Sequence, residues 1–122
     1  MALRLTGSES EEQIALFQWA EVMSGKHPEL ALMYHIPNGG ARYAATAGRL
    51  KAEGVKSGVP DLCLPVARGA FHGLYIEMKV KPNKPTKLQL VWLSELSKQG
   101  YQTNVCYSWQ EAADVIEKYL LL

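Results

Sequence analysis

Cysteine is almost missing from this chain, with Cys63 and Cys106 the only two among 122 residues. Both sit in apolar, β-like runs without Cys-x-x-Cys or Cys/His spacing. That excludes a zinc module and a disulfide scaffold and reads as two buried thiols in a reducing compartment. Also missing is any apolar run near the roughly 18 to 20 residues that a membrane span needs. The first twelve residues are polar and acidic, with no signal-peptide core. A cytoplasmic location and no membrane partner are therefore expected. No Gly-x-Gly-x-x-Gly follows a strand-like run and no P-loop signature occurs, so a nucleotide cofactor has no seat. Repeats, linkers and low-complexity tracts are absent too. What is present, 48% hydrophobic and 20% charged residues, is the composition of an ordinary soluble globule. The length suits one core, so a single domain over residues 1–122 is expected.

The formal net charge of +1 conceals a strong division. Residues 1–37 carry a net −3, residues 38–90 a net +6, and residues 91–122 a net −2. A basic middle between acidic flanks makes a local field, confined by screening to about 10 Å, that suits a polyanion. The same lysines could equally form a solvated face, so charge alone does not decide.

Ser8-x-x-Glu11 is a capping box, and Ile14, Phe17, Ala20 and then Val22 and Met23 recur near helical spacing, predicting a helix over 9–24. Tyr34-His35-Ile36 is a short extended run that stops at Pro37-Asn38-Gly39-Gly40, a loop by composition. A short basic helix is expected between Arg42 and Glu53, ended by Gly54. Asp61 to Val66 reads as a buried strand. In Leu74 to Val80, Leu74, Ile76, Met78 and Val80 alternate with Tyr75, Glu77 and Lys79, so the latter three share one strand face. A helix over 86–99, expected to pack through Leu88, Val91, Trp92 and Leu96, precedes a β-type run at 101–107. Ser108-x-x-Glu111 opens a last amphipathic helix. The order predicts an α/β fold with a small mixed sheet between helices, its two central strands forming a hairpin.

That hairpin matters because an antiparallel pairing brings Asp61, at a strand start, beside Glu77, near a strand end. Two adjacent carboxylates repel when both ionise, which a divalent cation or a raised pKa resolves. Oxygen ligands favour Mg²⁺ or Mn²⁺ over zinc. Such an ion polarises a phosphodiester and acidifies a water that Lys79 can orient, which is metal-assisted phosphodiester hydrolysis. The competing reading is an exposed Glu-x-Lys ion pair, worth under about 1 kcal/mol and without chemistry. Glu12 is either a metal ligand or a surface acid favourable to its helix dipole. Asn38, Arg42, Arg49, Lys51, Lys81, Lys84 and Lys87 are the expected DNA contacts, the basic ones as backbone clamps that read no sequence. For His35, ordinary hydrogen bonding beside the turn is expected.

Taken together, Ile36-Pro37-Asn38-Gly39-Gly40, Gly58-Val59-Pro60-Asp61, Glu77-x-Lys79 and Gln89 resemble the VRR-NUC family of restriction-endonuclease-like nucleases, from about Glu12 to Ser108. The resemblance implies an αβββαβ core, with Asp61 and Glu77 as metal ligands and the Met78 carbonyl a further one. It makes Lys79 the neighbour of the attacking water, Glu12 the additional acid and Gln89 a supporting catalytic residue. It also implies a short stand-alone member of the phage and bacterial type, acting in the bacterial or phage-infected cytoplasm. Such a protein would be a Mg²⁺- or Mn²⁺-dependent DNA endonuclease, resembling Holliday-junction resolvases and working on branched DNA as a homodimer. Trp19 and Trp109 are the aromatics available for a subunit interface. The alternative is a non-catalytic DNA-binding module that uses only the basic 38–90 segment.

Overall fold

A computed structural model describes residues 8–37 and 44–122, with the backbone alone for 44–47. Asn38 and Arg42, two of the expected DNA contacts, lie outside the described residues. The first helix, α1 (Glu9–Met23), starts where the capping box places it, the Ser8 hydroxyl accepting from the Glu11 amide at 3.0 Å. A short 3₁₀ turn (Pro28–Leu32) leads into β1 (Tyr34–His35), and α2 (Ala44–Ala52) follows. Then come β2 (Leu62–Leu64), β3 (Leu74–Met78), α3 (Lys87–Lys98), β4 (Gln102–Cys106) and α4 (Trp109–Leu120).

The four strands form one mixed sheet in the order β1-β2-β3-β4. The first two pairings are antiparallel and β3 runs parallel to β4, a crossover that α3 provides. In the central hairpin Leu62 faces Ile76, Cys63 faces Tyr75 and Leu64 faces Leu74. Alternation therefore sends Leu62, Leu64, Leu74, Ile76 and Met78 to one face. There they form a core with Leu16 and Ala20 of α1 and Ala112, Ile116 and Tyr119 of α4. The Tyr119 hydroxyl satisfies itself on the Val66 carbonyl at 2.6 Å, so the bulkiest fully buried side chain leaves no orphan donor. Both cysteines are free and buried.

On α1 and α3 the most deeply buried residues, Leu16 and Leu93, lie outside the stripes that the sequence pattern predicts, whereas on α4 the expected Ala112, Ile116 and Tyr119 are buried. On α1, Leu16 and Ala20 are enclosed while Ile14 and Val22 stand 57% and 81% exposed. On α3 the buried residue is Leu93, and Leu88 and Val91 stay about half exposed. Helices that cover one side of a small sheet meet it along a single line of contact, so apolar residues flanking that line remain open. Trp19 and Trp109, expected at the surface, are partly buried against the core instead.

The backbone at Gly58 is demanding. Gly58 is buried at φ +94°, in the left-handed region, and packs under α3. A Cβ added there would stand 2.7 Å from Leu88 Cγ and 2.8 Å from Trp92 Cδ1. The segment that delivers Asp61 to the sheet thus depends on a residue without a side chain. Gly58→Ala is expected to lower unfolding free energy by about 2–3 kcal/mol in urea titrations. Gly25→Ala, at an open position with nothing within 4 Å, should change it little.

Candidate active site

The register that builds the core also builds the site on the opposite side. One step beyond the Leu62–Ile76 pair, Asp61 comes opposite Glu77. Asp61 Oδ2 accepts the Met78 amide at 2.7 Å, tying this carboxylate to the end of β3. Lys79, two residues after Glu77, is fixed by its own amide, which donates to the Cys106 carbonyl of β4 at 2.9 Å. Its Nζ lies 3.6 Å from Glu77 Oε2 and 3.9 Å from Glu9 Oε2. The structure therefore unites three of the sequence-derived residues, Asp61, Glu77 and Lys79, and adds Glu9, which the sequence reading missed.

Burial sets the electrostatics. Glu77 is 2% and Lys79 7% exposed, values at which charged side chains are rarely found unless paired. Burial first, and then the neighbouring Asp61 carboxylate, push the Glu77 carboxyl up from its ordinary 4.5 to about 8, against the pull of Lys79. An exposed Glu-x-Lys ion pair is thereby excluded. Glu77 Oε1 has no hydrogen-bond partner among the described residues although it is buried. An orphaned buried acceptor beside a second carboxylate is the kind of group that a cation satisfies.

The donors suit a hard divalent cation: two carboxylates at the end of a hairpin, with the Met78 carbonyl adjoining them in sequence. No cluster of three or more His, Cys, Asp or Glu side chains that could enclose a metal occurs among the described residues. Two carboxylates still fit Mg²⁺, which commonly keeps several waters and takes substrate phosphate oxygens as further ligands.

Two expected site residues have other partners. Glu12 Oε1 accepts the Trp109 amide at 2.8 Å, so this acid holds the first turn of α4 rather than facing Lys79. Glu9, one turn earlier on α1, is the acid that does face it. Gln89 closes a capping box: its Oε1 accepts the Thr86 amide at 2.8 Å while its own amide donates to Thr86 Oγ1 at 3.2 Å. The Thr86-x-x-Gln89 spacing is a sequence signal for that role. Of the basic residues, Lys51, Lys81, Lys84 and Lys87 are exposed, and Arg49 is exposed while 3.6 Å from Glu53. Arg68, by contrast, is committed to Glu29 and to the Leu120 carbonyl.

The raised carboxyl has a measurable sign. A group that keeps its proton in the fold to about 8, but to only about 4.5 when unfolded, stabilises most at low pH. That contribution is full below about 4.5 and disappears as pH rises through about 8. The metal-free protein is therefore expected to melt at progressively lower temperature from about pH 5 to about pH 9. Glu77→Gln should flatten the slope, and a wild-type melting temperature independent of pH over that interval would contradict it.

The VRR-NUC domain family matches residues 8–110. A solved structure of a VRR_NUC domain protein superposes with a TM-score of 0.79 at 32% identity, covering 93% of this chain and 88% of the other. No curated protein matches the sequence. With the acid pair and its lysine on the restriction-endonuclease-like core, and a family match over most of its length, the chain belongs to the VRR-NUC nuclease family.

Proposed function

We propose that the protein is a divalent-metal-dependent DNA endonuclease whose centre is Asp61, Glu77 and Lys79. The observation that carries this reading is buried Glu77 paired with half-buried Asp61, with Glu77 Oε1 unpartnered and Lys79 Nζ 3.6 Å from Glu77 Oε2. Asp61, Glu77 and the Met78 carbonyl would hold Mg²⁺ or Mn²⁺. When bound, the ion would polarise the phosphodiester and favour ionisation of a nearby water. Lys79 is held among acids, so it can orient the attacking water and offset charge that develops on the phosphate. Glu9 takes the place on α1 given to Glu12, as a second acid beside the lysine.

The lysines at 81, 84 and 87 follow the site lysine directly in the chain. With Arg49 and Lys51 they are suited to clamp the DNA backbone, a sequence-independent role that lets shape decide the substrate. Branched DNA, and the four-way junction in particular, is the substrate we assign. Its near two-fold symmetry calls for two sites related by an isologous dimer, because one such site cuts one strand.

The test is a metal-titrated cleavage assay on junction, flap, single-stranded and duplex DNA. Asp61→Asn, Glu77→Gln and Lys79→Ala should each lower the rate by about 10²- to 10⁴-fold with the fold retained. Full activity of Lys79→Ala would remove the proposal. Absence of product from the wild type with either ion would leave a DNA-binding module instead. Glu9→Gln should slow cleavage, whereas Glu12→Gln should chiefly cost about 1 kcal/mol of stability through the Trp109 amide. Lys81→Ala, Lys84→Ala and Lys87→Ala should weaken binding to all four DNAs alike and flatten its salt dependence.

A further inference from the structure

His35 occupies an unusual place for an exposed side chain. It ends β1, a strand of two residues at the edge of the sheet, and is exposed, so it has no core to fill. Yet its Nδ1 stands 2.7 Å from the Asp61 carbonyl oxygen, across 26 residues of sequence. A carbonyl can only accept, so Nδ1 carries the hydrogen and donates. The same carbonyl accepts the Ile36 amide at 2.7 Å, so both of its lone pairs are engaged by consecutive residues of one segment. Asp61 itself lies just outside β2, which begins at Leu62, at the last pair that the β1–β2 register reaches, opposite Ile36. Its peptide is gripped from β1 through the oxygen, and its carboxylate from β3 through the Met78 amide.

We propose that His35 is a positioning residue for the metal site. Its Nδ1–H bond fixes the rotation of the Asp61 peptide, and through it the stance of the Asp61 carboxylate beside Glu77. The inference rests on the metal reading given above, and adds to it a residue that touches neither ion nor DNA. Loss of the bond leaves the Ile36 amide as the one remaining grip on that oxygen among the described residues, so the peptide can rock and the two carboxylates no longer present a preset pair. Groups that orient metal ligands from behind typically change affinity by about 10- to 100-fold when removed.

The experiment is calorimetric titration of Mn²⁺ into the DNA-free protein, with thermal melting alongside, for wild type, His35→Ala, His35→Asn and Asp61→Asn. Asparagine is the informative replacement because its side-chain N–H can stand where Nδ1–H stands. Expected is Mn²⁺ affinity about tenfold weaker in His35→Ala and within about threefold of wild type in His35→Asn, with melting temperatures nearly equal. Wild-type affinity in His35→Ala, while Asp61→Asn has lost binding, overturns the positioning role and leaves the metal reading intact. An equal loss in His35→Ala and His35→Asn also overturns it. No Mn²⁺ binding by the wild type, or undiminished binding by Asp61→Asn, brings down both together.

Discussion

A carboxylate that is 2% exposed, beside a second carboxylate and a buried lysine, is the constraint on which the rest of this structure depends. Left alone, such an arrangement is expensive, because each charge gives up water for partners that satisfy it incompletely. Glu77 responds by holding its proton to about 8 and by leaving one oxygen without a partner. The fold tolerates this because the hairpin's opposite face is fully committed to the core, from Leu62 and Leu64 to Leu74, Ile76 and Met78. A slip of one residue would exchange the two faces, exposing that core and burying the acids in it. Stability and site are thus two sides of one register.

The same logic explains why the supporting contacts come from so many elements. Asp61 is tethered by β1 through its carbonyl and by the Met78 amide through its carboxylate. The chain reaches it over Gly58, which lies against Leu88 and Trp92 of α3. Lys79 is bracketed between Glu77 of β3 and Glu9 of α1. A group held from several independent directions loses little freedom on meeting its ligand, which is what a preorganised centre requires.

Much of this was legible in the residues. The alternation across Leu74 to Lys79 sets which side chains share a face, and a short connection from a strand starting at Asp61 dictates an antiparallel partner; convergence of the acids follows. Helix starts were legible wherever a hydroxyl precedes an acid by three, as at Ser8 and Ser108. Less legible was the role of the α1 acids. Glu9 and Glu12 are three apart and share one side of the helix, so periodicity cannot say which faces Lys79 and which reaches Trp109. The crossing of α1 over α4 and β3 decides that, and it is a tertiary fact. The apolar stripes of α1 and α3 were misjudged for a related reason: both helices carry apolar residues on more than one side, and which side meets the sheet is set by the crossing, so Leu16 and Leu93 are buried while Ile14 and Val22 stay exposed.

The charge division takes on a narrower meaning once the fold is known. Of the basic residues in the middle segment, Lys79 is buried beside Glu77 and Arg68 is committed to Glu29, so neither adds to an exposed basic face. What remains exposed includes Lys81 and Lys84, in the connection that follows Lys79, and Lys87, the first residue of α3. A phosphate backbone held by them would, under the proposed function, have to lie close to the acids. Those acids would repel it were a cation not there to invert the local sign. Negative carboxylates and positive lysines close together in the chain are contradictory for DNA binding alone; under the function proposed above, a divalent ion between the acids and the phosphate would make them cooperative.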